Sequence, residues 1–239
     1  MVIPILANAQ MRKGPGYRSG IYIGYAAFLP EKMEIMPLHA PRPDVEFRSM
    51  PKISYQGRLE FAHSIGSRWD VSVGIMAGVY PYNHTLSVDS SFSGLGSNYQ
   101  SGSIGLRGVE YGGWTLKFGF VQPVLEKHFF SFHLGGNYVI FIPQSQGSGG
   151  SSSGTRIYTM RVNVNPARKA FLAPEAAFRY TYRLGRYLMP AFTLFGVYSN
   201  NRPIVRSTYR IFGKHEDLGG TFSRRFVHIG AELGVMFRL

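Results

Sequence analysis

From Phe226 to Leu239 the chain alternates without a break. Val227, Ile229, Ala231, Leu233, Val235, Phe237 and Leu239 fall on one face of an extended segment, and His228, Gly230, Glu232, Gly234, Met236 and Arg238 on the other. Period two is the signature of a strand with two unlike faces. The same split recurs where Val71, Val73, Ile75, Ala77 and Val79 alternate with Asp70, Ser72, Gly74, Met76 and Gly78. It recurs again where Phe130, Phe132, Leu134, Tyr138 and Ile140 alternate with Ser131, His133, Gly135 and Asn137. The polar face is mostly Gly, Ser and a few ionisable groups, not the Lys, Glu and Thr of a water-facing sheet. Small residues interrupted by a few large polar ones suit the inside of a narrow closed barrel. An unbroken apolar face suits lipid.

Composition agrees with this reading. Charged residues make up 16% of the 239, against about a quarter in an ordinary soluble domain, while aromatics reach 15% and glycines number 29. No run approaches the roughly 18 apolar residues of a spanning helix, so a membrane crossing must use strands. The absence of cysteine removes disulfides and thiolate metal sites.

Eight strands are predicted, near 17–28, 52–64, 69–82, 114–123, 128–142, 171–183, 187–199 and 225–239. Short connections at 65–68, 123–127 and 184–186 alternate with long ones at 29–51, 83–113, 143–170 and 200–224. That asymmetry marks outer-membrane barrels, in which the short turns are periplasmic. The fold predicted is therefore an all-β, closed, antiparallel up-and-down transmembrane β-barrel. Residues 99–113 and 157–165 also alternate, which leaves ten strands as the alternative or extends neighbouring strands. Tyr80, Tyr82, Trp114, Tyr138, Phe141 and Tyr198 near the long loops, and Trp69, Phe129, Phe130, Tyr182, Tyr187 and Phe237 near the short turns, read as two interfacial girdles. Residues 1–9 end in Ala7, Asn8 and Ala9, an A-x-A pattern that reads as a signal-peptide remnant; the barrel domain is then 10–239.

The final residues ELGVMFRL carry a polar-x-Gly-x-x-apolar-x-apolar pattern at Glu232, Gly234, Phe237 and Leu239. This pattern resembles the ending of many outer-membrane barrels, where it implies recognition by the barrel-assembly machinery during biogenesis. The chain is similar to small OmpA- and OmpX-type barrels and to outer-membrane β-barrel proteins of Bacteroidota.

Alternation sends Arg18, Arg58, Glu60, Lys117, His133, Glu175, Arg179, His228, Glu232 and Arg238 inward. Isolated charges there would each cost several kcal/mol, on the order of the usual burial penalty. Glu60, Glu175 and Glu232 are therefore expected to meet Arg58, Arg179 and Lys117 in a network that plugs the lumen. The formal charge of +13 is spread unevenly over the long connections: 143–170 carries Arg156, Arg161, Arg168 and Lys169 with no acid, and 200–224 carries Arg202, Arg206, Arg210, Lys214 and Arg224 against Glu216 and Asp217. Lipopolysaccharide phosphates and outer-membrane lipid are the partners expected. Nucleic acid is not expected, because no recognition helix or stacking platform accompanies the charge. His84, Asp89, Ser90 and Ser91 share one loop, and His215, Glu216 and Asp217 another. Polar loops of this kind read as solvated surface rather than catalytic machinery. No catalytic residue, metal site or cofactor is expected. The functional readings are a structural or surface-interaction barrel, including docking to a larger outer-membrane complex, a narrow pore for small solutes, and a lipid A-modifying enzyme.

Overall fold

The computed structural model describes residues 18–32, 34–37, 45–49, 52–88, 100–142, 147–149, 159–166, 170–199, 205–212 and 217–239. They form fourteen strands and no helix. In chain order these are β1 (Ser19–Pro30), β2 (Glu34–Pro37), β3 (Val45–Ser49), β4 (Ser54–Ile65), β5 (Trp69–Val88), β6 (Gln100–Leu125) and β7 (His128–Phe141). There follow β8 (Gly147–Gly149), β9 (Thr159–Pro166), β10 (Ala170–Tyr182), β11 (Leu188–Val197), β12 (Val205–Phe212), β13 (Asp217–Arg224) and β14 (His228–Arg238). The signal-remnant reading of 1–9 lies outside the described residues.

Strands β1, β4, β5, β6, β7, β10, β11 and β14 pair antiparallel, each with its neighbours in that order. The ring closes through β1 and β14, where Gly20 pairs with Arg238 and Pro30 with His228. All eight sequence-predicted strands are present in an eight-stranded up-and-down barrel. Two of the short turns carry Gly66 and Gly185 at φ of 70° and 75°, a left-handed conformation that glycine adopts without a Cβ clash.

Residues 83–88 and 100–113 continue the β5–β6 ladder beyond the predicted strand ends, with β3 added beside β5. The alternation at 99–113 is thus a strand extension. That at 157–165 belongs to a second, five-stranded sheet ordered β2-β13-β12-β9-β8. Each member leads into or out of β1, β14, β11, β10 and β7, which neighbour one another in the barrel in that same order. The second sheet therefore continues the succession of five barrel strands past a set of breaks.

Burial alternates strictly along β1 and β10. Ile75, Leu116, Phe132, Leu134, Leu194 and Leu233 lie exposed on the outside while the lumen is packed. Such a continuous apolar surface is far larger than a water-soluble monomer tolerates, and it fits a lipid-facing wall. Trp69, Tyr187 and Phe237 at one end, and Trp114, Tyr138 and Tyr198 towards the other, face outward as the girdle reading expects. Phe130 and Tyr182 are half-buried, and the side chain of Tyr82 lies outside the described set. Tyr80, Phe141 and Phe129 correct that reading, for all three are buried inside. Their height in the wall suggested a girdle, but their parity decides the face: each follows or precedes an outward residue by one position.

Candidate functional site in the barrel lumen

Four strands supply the charges: β4 gives Arg58 and Glu60, β6 Lys117, β10 Glu175 and Arg179, and β14 Glu232. These are alternate strands around the ring, as in the side-chain layers of other small barrels. β4 and β10 stand on opposite walls, four strands apart in either direction. Arg58 reaches across this span to clasp Glu175 with both ends of its guanidinium, Nη1 to Oε1 at 2.5 Å and Nη2 to Oε2 at 2.8 Å. Its Nε lies 3.3 Å from Glu232 Oε2. Lys117 Nζ stands between two acids, 2.5 Å from Glu60 Oε1 and 3.2 Å from Glu175 Oε1. Arg179 Nη2 is 3.3 Å from Glu60 Oε2.

Three cations thus face three carboxylates, all buried, and the layer is neutral. The intervening strands complete it with uncharged groups. Tyr22 of β1 donates to Glu232 at 2.7 Å, Asn137 of β7 donates to Glu175 at 2.7 Å, and Thr193 of β11 accepts from Arg179 Nε at 3.1 Å. The Gln56 amide is oriented with its oxygen towards Arg58, 2.8 Å from Nε and 2.7 Å from Nη2, which leaves its nitrogen to donate to Tyr111. Arg179 also lies over the Tyr22 ring at 4.0 Å and Arg58 over Phe195 at 4.8 Å, both cation–π distances.

Apolar layers lie on both sides of the charges. Towards the short turns, Ala62, Val121, Phe129, Met189, Ala191 and Met236 form one buried cluster with Tyr22. Towards the long loops the hub is Phe226, whose ring centroid lies 5.0 Å from Tyr80, 5.2 Å from Tyr111, 5.4 Å from Phe171 and 4.8 Å from His228. Phe226 sits in the break between β13 and β14, so it is released from the wall and turns inward. The break is pinned on all sides. Tyr80 directs its hydroxyl at the carbonyls of Arg225 and Val227, Ser199 Oγ accepts from the Phe226 amide at 2.9 Å, and Arg225 pairs with Glu31.

Between the charges and the lower cluster lies a polar group that resembles part of a hydrolase triad. Ser131 Oγ is 2.8 Å from His133 Nε2, and His133 Nδ1 is 3.6 Å from Asp70 Oδ1. The second distance exceeds a hydrogen bond. The adjoining cavity is about 10 Å³, the space of about one water molecule. No substrate carbonyl fits there. Among the described residues no cluster of three metal-ligating side chains occurs.

The sequence-selected Arg58, Glu60, Lys117, Glu175, Arg179 and Glu232 therefore stand together. His133 and His228 lie on opposite sides of them, one near the lower cluster and one beneath the cap. Arg18 is exposed and Arg238 half-buried, which corrects their inward placement: both stand at the short-turn mouth, where the wall no longer encloses them. Asn137 stands on the polar face read from the sequence, but Tyr22, Gln56 and Thr193 were missed because only ionisable groups were followed inward; parity alone would have found them. Phe226 shares the inward parity of His228; its place as the hub of the cap, in a break between strands, is what parity did not mark. Arg161, Arg206 and Arg210 lie on β9 and β12; Arg156, Arg168, Lys169, Arg202 and Lys214 fall outside the described residues, as do Asp89, Ser90, Ser91, His215 and Glu216. His84 lies on β5 and Asp217 opens β13.

Closure, an even number of antiparallel strands, a filled polar lumen and an apolar outer wall define an integral β-barrel of the outer-membrane type. No protein-family model matches the chain, and no curated protein matches it. Among solved structures it is similar to the outer membrane protein OprG from Pseudomonas aeruginosa, at 14% identity and a TM-score of 0.48 over 96% of this chain and 99% of that one. It is also similar to the outer membrane protein AlkL in lipid bilayers, at 16% identity and 0.37 over 95% of each chain. The outer membrane protease OmpT from Escherichia coli gives 8% identity and 0.41 over 96% and 97%. Similarities at this level say nothing of ligand or activity.

Proposed function

We propose that this chain is a closed, non-conducting outer-membrane barrel whose role is structural or surface-interacting. The observation that carries the reading is the three-layer filling of the lumen: an aromatic cap around Phe226, a neutral six-charge network, and the apolar cluster around Phe129 and Met189. An ion would have to displace buried aromatic rings and then break ion pairs that have no replacement partners, which costs several kcal/mol, on the order of the penalty for an unpaired buried charge.

In this reading the short turns are periplasmic and the long loops face outward. Their basic residues then meet the phosphates of lipopolysaccharide, with Arg161, Arg206 and Arg210 on neighbouring strands of the second sheet. The closing pattern Glu232, Gly234, Phe237 and Leu239 supports handling by the barrel-assembly machinery. With the eight-stranded ring, it supports kinship with the small OmpA- and OmpX-type barrels and those of Bacteroidota.

Planar-bilayer recording tests the closure. The wild-type protein is expected to give no large, stable open state; such a state would overturn the plugged reading in favour of a narrow pore.

A further inference from the structure

On the outer wall near the long-loop end, one outward row crosses four strands as Leu194, Ala231, Ala27 and Tyr55. The paired alanines leave a hollow between larger neighbours. Leu29, Ile229 and Ile53 border it above, and Tyr25 and Leu233 stand in the row below. The result is an apolar groove of about 470 Å³ on the lipid-facing surface. The β1–β4 ladder stops at Phe28 and Ser54, just beneath the groove's upper border.

The chain turns charged directly above. Lys52 precedes Ile53, Lys32 lies three residues beyond Leu29, and both are exposed. The Glu31–Arg225 pair satisfies its own charges beside them. A hollow immersed in hydrocarbon is filled by an acyl chain, and two lysines at the adjoining rim select for phosphate at its head.

We propose that this groove is a specific site for a lipid A-type molecule, one acyl chain lying over Ala27 and Ala231 and a phosphate held by Lys32 and Lys52. The inference rests on the reading above that the long loops face outward, where that diphosphorylated lipid forms the leaflet.

The test uses full-length protein purified in mild detergent and stripped of lipid, titrated with bisphosphorylated lipid A and followed by native mass spectrometry. Phosphatidylglycerol and phosphatidylethanolamine serve as competing probes. Wild type is expected to retain lipid A in preference to both. Ala231→Leu, which fills the hollow, and the double variant Lys32→Glu/Lys52→Glu should each bind about tenfold more weakly. Ala77→Leu, the same change at an outward position on β5 that does not line the groove, should bind as wild type does, and the heat-dependent gel shift of every variant reports that the barrel is closed. Equal retention by Ala231→Leu and wild type, or equal retention of all three lipids, overturns the site. Retention by the purified protein does not depend on conductance, so an open channel would sink the plugged reading and leave this one standing. Protease cleavage of the 143–170 connection only from the periplasmic side would overturn lipid A as the occupant.

Discussion

Glu175 is the acid on which the lumen network turns, and Glu175→Gln exposes how much it holds. Its carboxylate accepts two hydrogen bonds from Arg58 and one from Asn137, and Lys117 stands 3.2 Å away. The substitution keeps the shape but removes one negative charge, so three buried cations face two carboxylates. Breaking a buried pair by removing one partner costs about 3–5 kcal/mol, and that loss is expected in equilibrium urea unfolding of the refolded barrel in micelles. Trp69 and Trp114 report the transition, since both are exposed on the outer wall and leave lipid on unfolding. Adding Arg58→Met restores neutrality: Lys117 and Arg179 then face Glu60 and Glu232. The double variant should therefore be more stable than the two single losses sum to, by a coupling of up to about 3 kcal/mol. If Glu175→Gln falls within about 1 kcal/mol of wild type, or the two losses simply add, the charges are solvated in the folded barrel and the argument fails.

Phe226→Ala removes the hub of the upper cap and should cost about 3–5 kcal/mol in the same assay; an unchanged midpoint would mean the 225–227 break does not hold its side chain inside. Gly234→Ala places a methyl group where the Tyr22 hydroxyl lies, so it should destabilise the folded barrel by about 1–3 kcal/mol. Tyr22→Leu, which removes the ring carbons as well as the hydroxyl that this methyl meets, should cost less combined with Gly234→Ala than the two single losses sum to, and simple additivity would assign the glycine to assembly instead. Brominated acyl chains should quench Trp69 and Trp114 alike, because both face outward; emission insensitive to them would take the wall out of lipid.

The fold was legible because alternation is local. Asp70 to Val79 state in ten residues which side of the wall is which, and short turns with glycine at residues 66 and 185 state where it reverses. The inward set followed from parity, Arg58 and Glu60 on one strand and Glu175 and Arg179 on another. Which cation meets which acid did not follow, because that depends on stagger across the ring: Arg58 prefers Glu175 on the opposite wall, 117 residues away, to Glu60 on its own strand, whose carboxylate it approaches only to 4.0 Å. The second sheet was legible only in part: 157–165 alternates, but β2 and β8 are too short to carry a period, and one alternating segment does not say which strands it pairs with. The aromatics Tyr80, Phe129 and Phe141 show the opposite error, a preference for membrane height over the parity already in hand.

That the charges come from alternate strands has a consequence for how the molecule is made. Lys117 and Glu60 are 57 residues apart, and Tyr22 and Glu232 are 210 apart, so none of these partners meets within a hairpin. A half-built sheet would expose Arg58, Lys117 and Arg179 towards hydrocarbon before the last acid, on β14, arrives. Insertion strand by strand would therefore carry the cost of unpaired charges in hydrocarbon, which docking of β14 on β1 removes. The barrel that closes in register pairs all six charges, whereas a strand slipped by a single residue would turn its charges onto the lipid face.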